Sequence, residues 1–126
     1  MKKYRITLTK EQLMLLAKCV EDCHRFACGE TELWNTTSAF NIKEWDELRD
    51  RLECLQPLVT PELGICASYG WNGTGCKDEY QRKFIAKTYA IYREILHKVV
   101  NNGVYKYPTL TCEEGGELPI IEEVED

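Results

Sequence analysis

The stretch from Thr9 to Gly29, "TKEQLMLLAKCVEDCHRFACG", decides the fold. Thr9 followed three residues later by Gln12 makes a capping box, in which the hydroxyl and the side-chain amide each satisfy an orphan backbone N–H. Gly29 supplies the usual stop. The pattern therefore predicts a helix from Lys10 to about Cys28. At about 100° per residue, Leu13, Leu16, Ala17, Val20, Cys23 and Ala27 share its apolar face, and Met14, Lys18, Glu21, Asp22 and Arg25 lie opposite. Arg25 is thus expected outside the core seam, one turn before the glycine.

Upstream, Tyr4 to Thr9 alternates as a short strand. Downstream, residues 30 to 40, "ETELWNTTSAF", are turn-rich, with a short strand expected over Leu33 to Thr36. Asn41, with Glu44 three residues on, is expected to cap a second helix carrying Trp45, Leu48, Leu52 and Leu55 on one stripe, stopped by Pro57. Thr60-Pro61-Glu62 looks like one more helical start, cut short by Gly64. The longest helix is predicted from Asp78 to Asn101, ending at Asn102-Gly103. Val104 to Cys112 and Leu118 to Val124 read as edge strands, since both contain Pro. The whole is an α+β domain: two long helices and a shorter one packed with a small antiparallel sheet.

At 126 residues the chain fits one domain with a single core. Residues 1 to 112 form the expected ligand-binding domain, and 113 to 126 an acidic C-terminal tail. The net charge of −5 is not uniform, because seven of the 21 acidic residues fall between Glu113 and Asp126 with no basic residue among them. The remainder holds 16 basic against 14 acidic residues and is close to balanced. A balanced body can present a local anion site, whereas a free acidic tail repels long nucleic acid. The plainer account of the tail is a solubilising, poorly ordered end. No apolar run approaches the roughly 20 residues of a membrane span, and the polar start lacks a secretory core. A cytoplasmic protein is expected, with its seven cysteines reduced and no cofactor.

Two stretches carry candidate chemistry. On the long helix, Phe84, Ile85, Thr88, Ile91, Tyr92, Ile95, Leu96 and Val99 form an apolar arc. Beside it runs a stripe of Ala86, Ala90, Arg93 and His97, with Tyr89 at its border. Small residues admit a close approach, and above them the Arg93 guanidinium and the His97 imidazole stand as candidate ligand donors, the guanidinium with a planar fork for phosphate oxygens. The rival account is an ordinary surface ion pair at Arg93 with a solvated His97. Arg25 has an even simpler alternative, helical pairing with Glu21 and Asp22. The second stretch, "GICASYGWNGTG" from Gly64 to Gly75, fails both nucleotide-loop signatures. Gly70 and Gly75 have P-loop spacing, but Cys76 stands where the lysine belongs, and Gly73-Thr74-Gly75 lacks the third glycine of a dinucleotide fingerprint. What remains is a flexible connection with two flat side chains, Tyr69 and Trp71, and one amide, Asn72. These can stack on and hydrogen-bond to a base, or they can finish the core.

Catalysis finds little support. A Cys76–His97 thiol pair has no local signature, and Cys19, Cys23 and His24 lack the second pair that a tetrahedral zinc site needs. Cys19 and Cys23 are more simply core residues.

The order of motifs resembles the phage sponge proteins called Thoeris anti-defence 1. "YRITLTKEQL" leads into a helix ending in an arginine and "CGE"; "SYG" lies midway; the long helix carries "IYREILHK". The likeness spans roughly residues 4 to 107. The family's helix end more often reads Gly-Gln where this chain has Gly29-Glu30, which sets a carboxylate near the expected anion. The resemblance implies a non-enzymatic bacteriophage protein, acting in the host cytoplasm. It implies a homo-oligomer, dimer or hexamer, that sequesters cyclic nucleotide immune signals: cyclic ADP-ribose isomers and, in some members, the cyclic trinucleotides of CBASS. It implies Arg25 and Arg93 as phosphate contacts, with Tyr69, Trp71 and Asn72 at the base. The alternatives from other classes are an acidic inhibitor of a protein partner and a nucleotide hydrolase.

Overall fold

A computed structural model describes residues 2–64, 67–99 and 120–124. Strand β1 (Lys3–Thr7) leads into helix α1 (Lys10–Cys28). The short helices α2 (Trp34–Ser38), α3 (Trp45–Glu53) and α4 (Gln56–Val59) follow, then the long helix α5 (Glu79–Val99) and strand β2 (Ile120–Val124). The α+β class is as the sequence predicts. Among the described residues no helix is long and apolar enough to cross a membrane.

Helix α1 begins and ends where its caps dictate. Gln12 N–H donates to Thr9 Oγ1 at 3.1 Å and Thr9 N–H to Gln12 Oε1 at 2.9 Å, closing the capping box. Gly29 takes the left-handed conformation at φ 105°, and Glu30 N–H returns to the Arg25 carbonyl at 2.9 Å. An added Cβ there would sit 2.7 Å from Thr60 Cγ2, so glycine is required by space as well as by backbone. Helix α5 starts on Asp78, whose carboxylate accepts the N–H groups of Tyr80 and Gln81.

Helices α1 and α5 pack antiparallel and carry the core. At one end Met14 and Ala17 meet Tyr92 and Leu96; at the other Ala27 and Cys28 meet Ile85, with Tyr69 and Cys76 from the connection. Near that second end Gln81 Nε2 donates to the carbonyls of Ala27 and Val59, tying α5 to α1 and α4. The buried seam of α1 runs through Met14, Ala17, Glu21, His24 and Cys28. This is one position round from the expected apolar face. Leu16 and Cys23 of that face are exposed, as is Cys19, while Met14, Glu21 and Asp22 are buried. Burial of the two carboxylates is possible because each finds partners, described below.

Several local expectations are corrected. Residues 33–36 are not a strand: α2 occupies Trp34–Ser38, its first turn held by the Asp22 carboxylate, which accepts from the N–H of Asn35 at 3.1 Å and of Thr36 at 2.6 Å. Asn41 does not cap α3, which begins at Trp45, and Pro57 does not end it but lies in the first turn of α4. Thr60 closes α4, and Pro61-Glu62 forms a turn rather than a helix. On α5, Ile85, Thr88, Tyr92 and Leu96 of the predicted arc are buried, while Phe84 and Ile91 are exposed.

Strands β1 and β2 pair antiparallel, with Ile6 opposite Ile121 and Arg5 opposite Glu122. The sequence 113–126 therefore contains a strand. Its carboxylates approach β1 and its flank, Arg5 Nη1 to Glu122 and Lys2 Nζ to Glu123, each at 3.8 Å. The expected strand over 104–112 lies outside the described residues.

Candidate functional site

Helix periodicity builds the first part of the site. Tyr89 and Arg93 are four residues apart on α5, and the guanidinium carbon lies 5.5 Å from the centre of the Tyr89 ring. The second part is tertiary. The Gly70–Gly75 connection turns back on itself, with Gly73 N–H donating to the Gly70 carbonyl at 2.8 Å and Cys76 N–H to Gly73 at 3.0 Å. Gly73, at φ 83°, fits against Arg82 of α5, where a Cβ would stand 2.6 Å from the Arg82 side chain. This close approach brings the Trp71 indole to 4.9 Å from Tyr89, ring centre to ring centre, at 38°. Trp71 remains 61% exposed. An indole and a guanidinium thus both contact one phenol ring, the indole at a tilt.

His24 adjoins Tyr89 on the buried side. Its ring lies 5.3 Å from Tyr89 and 5.4 Å from Tyr92, and its Nδ1 meets the Ile85 carbonyl at 2.8 Å and Thr88 Oγ1 at 3.2 Å. The carbonyl requires a donor, so Nδ1 carries the proton and Nε2 faces Cys28 Sγ at 3.8 Å. Burial lowers the His24 pKa below its usual value, the Ile85 carbonyl opposing this in part. Burial also pushes the Cys28 thiol up to about 11, with Glu30 adding to the effect. The contact is a neutral thiol beside a neutral imidazole, and it supplies no thiolate at neutral pH.

Arg25 is committed to carboxylates. Nη1 donates to Glu30 at 3.0 Å, and Nε and Nη2 both donate to Glu21 Oε2 at 3.3 Å. Burial works against its charge, but Glu21 and Glu30 more than reverse this and raise its pKa. Glu21 is 3% exposed and Asp22 2%. The Asn35 amide bridges them, donating to Glu21 Oε1 at 2.9 Å and Asp22 Oδ1 at 3.1 Å, while Thr36 Oγ1 donates to Asp22 Oδ2. The pairing expected for Arg25 on its own helix is present with Glu21, and Glu30 joins it.

The six predicted residues separate as follows. Trp71 and Arg93 meet around Tyr89. Arg25 and Arg93 each follow a buried seam residue, His24 and Tyr92, and in an antiparallel pair of right-handed helices such positions emerge on the same side. Tyr69 turns inward: it is buried, its N–H donates to the Cys28 carbonyl at 2.9 Å and its hydroxyl donates to Glu62. Asn72 is exposed beside Trp71, with its side-chain oxygen accepting from Thr74 N–H at 3.2 Å. His97 is exposed one turn beyond Arg93. Cys76 and His97 cannot form a pair, because Cys76 precedes α5 and His97 lies in its last turn, and the stretch Glu79–His97 alone is about 27 Å long at 1.5 Å per residue. Cys19 and Cys23 are exposed while His24 is buried, and among the described residues no three His, Cys, Asp or Glu side chains are placed to hold a metal ion.

Tyr89 is the pivot that the sequence left at the border of the stripe; its spacing from Arg93 is the signal that finds it. A separate cleft of about 690 Å³ lies between the end of α1 and the α3–α4 region. Glu30, Glu32, Asp50 and Glu53 line it, and none of the six predicted residues does. A lining of four carboxylates repels phosphate.

Searches against protein-family models, curated proteins and solved structures give no match.

Proposed function

We propose that this protein binds and sequesters a small cyclic nucleotide, with a base on the open face of Trp71 and a phosphate on Arg93. The observation that carries this reading is the Trp71–Tyr89–Arg93 cluster, in which an exposed indole and a guanidinium both contact the Tyr89 ring. Stacking a base on an aromatic side chain contributes about 1–3 kcal/mol. A guanidinium already oriented over Tyr89 loses less freedom when it accepts a phosphate than a mobile cation does. Arg25, on the same side of the helix pair, is a second phosphate contact once the ligand competes with Glu30. The resemblance to phage sponge proteins names the ligands: cyclic ADP-ribose isomers and cyclic trinucleotides.

The test is a fluorescence titration with these compounds, using Trp71→Phe as the reference because Trp34 and Trp45 also emit. Denaturing the complex and analysing the released compound then separates capture from hydrolysis. Intact ligand supports the sponge, and a cleaved product supports the hydrolase.

The second reading, an acidic surface for a basic protein partner, draws on the carboxylate-lined cleft. Truncating residues 113–126 does not isolate it, because β2 would be lost with the tail. Glu32→Gln with Glu53→Gln leaves the strands intact, and loss of partner binding with nucleotide affinity unchanged would favour this alternative.

A further inference from the structure

The carboxylate-lined cleft of about 690 Å³ contains no residue of the Trp71–Tyr89–Arg93 cluster. Glu30 and Glu32 come to it from the turn that follows α1, and Asp50 and Glu53 from α3. Thr31 Oγ1 donates to the Leu52 carbonyl at 2.6 Å, which pins that turn to α3 and gathers the four carboxylates on one cavity. Their charge is not balanced. Arg25 donates to Glu30 but also serves Glu21. Arg49 is divided among Asp46, Asp50 and Glu53 at 3.7, 3.7 and 4.0 Å, all beyond hydrogen-bond length. Glu32 has no ion pair among the described residues.

Gln56 supplies an independent observation. It lines the cleft and is only 6% exposed. Its Nε2 donates to Thr60 Oγ1 and, at 3.3 Å each, to the carbonyls of Gly64 and Ala67. Carbonyl oxygens only accept, so the atom facing them is the nitrogen, and the amide group left over is the acceptor Oε1. Among the described residues no donor reaches Oε1. A nearly buried acceptor without a donor calls for one from a ligand.

We propose that this cleft binds a linear aliphatic polyamine, its ammonium groups on the carboxylates and one N–H on Gln56 Oε1. An ammonium carries three donors and no acceptor, the complement of such a lining. Placement argues against a single metal ion, because among the described residues no three His, Cys, Asp or Glu side chains are set to hold one. A flexible chain with its charges a few bonds apart reaches them in turn, and Pro57 and Ala67 offer apolar surface to the methylenes between. Size argues against a protein. The cavity falls within the roughly 300–1,000 Å³ of small-ligand sites, whereas a protein partner covers about 800 Å² of surface. Only Glu30 is shared with Arg25, so the inference does not depend on the nucleotide reading.

The experiment is calorimetry and heteronuclear NMR of the full chain with spermidine in about 0.15 M salt, where exposed charges more than about 8 Å apart are largely screened. One saturable site is expected, with shifts centred on residues 29–32, 50–57 and 67–68. Putrescine, one ammonium shorter, is expected to bind about tenfold more weakly, the worth of one charged contact. Glu32→Gln with Glu53→Gln is expected to weaken spermidine by about tenfold or more. Glu122→Gln with Glu123→Gln removes the same charge from β2 and is expected to leave the affinity unchanged. Binding that does not saturate, Mg²⁺ that displaces spermidine at equal charge, or equal losses in the two double variants overturns the proposal. Glu32→Gln alone removes no ion pair of the fold and keeps the test decisive should the double variant fail to fold; an unchanged affinity there also overturns it.

Discussion

The Arg25 guanidinium binds the Glu30 carboxylate at 3.0 Å, the arrangement a bound phosphate would have to displace. Under the proposed function, Glu30 competes with the ligand phosphate for Arg25. Replacing it with Gln is expected to tighten nucleotide binding by about 1 kcal/mol, the scale of one partly exposed charged contact. Calorimetry of Glu30→Gln against the wild type checks this. Unchanged affinity would assign Arg25 to structure alone.

Arg93→Ala is expected to weaken nucleotide binding by about 1.5–3 kcal/mol, the contribution of a hydrogen bond to a charged group. Arg93→Lys should recover only part of the loss, since lysine keeps the charge but neither the planar fork nor the stack on Tyr89. The melting temperature of both variants should stay close to that of the wild type, because the Arg93 side chain lies outside the buried seam.

Asp22 is expected to matter for stability and not for ligand. Its carboxylate accepts from both Asn35 and Thr36 and holds the start of α2 against α1. Asp22→Ala leaves those donors without their acceptor inside the protein, at a cost of about 3 kcal/mol or more. Urea unfolding followed by far-ultraviolet circular dichroism measures the difference.

Acid should destabilise the fold through His24. Burial holds its folded pKa below the ordinary histidine value of about 6.5, so on acidification the unfolded chain takes up the proton first. The stability that the neutral ring confers is complete above about pH 6.5 and is lost as the pH falls through the folded value. Urea midpoints between pH 7.5 and 5 should therefore decline in the wild type, and decline less in His24→Gln. An identical slope in the two proteins would place the acid sensitivity elsewhere.

What could be read in advance depended on how local each determinant is. The ends of α1 were legible because Thr9, Gln12 and Gly29 act within a turn of the residues they cap. Helix α2 was not: "LWNT" favours a strand by composition, and the Asp22 side chain that overrides it comes from 13 and 14 residues upstream. The seam of α1 was displaced by one position for a related reason. Periodicity places Glu21 and Asp22 in water, whereas Asn35, Thr36 and Arg25 satisfy them inside. In the site, the Tyr89–Arg93 spacing is helical and readable. The docking of Trp71 on Tyr89, and the inward turn of Tyr69, depend on how a glycine-rich connection closes against Arg82, which periodicity does not encode.

The most direct measurement is a titration of the protein with cyclic ADP-ribose isomers and cyclic trinucleotides, followed by Trp71 emission. The account predicts saturable quenching that is absent in Trp71→Phe, weakened in Arg93→Ala, and accompanied by release of unaltered ligand on denaturation. Emission unchanged by every compound, or quenching that persists in Trp71→Phe, would contradict it.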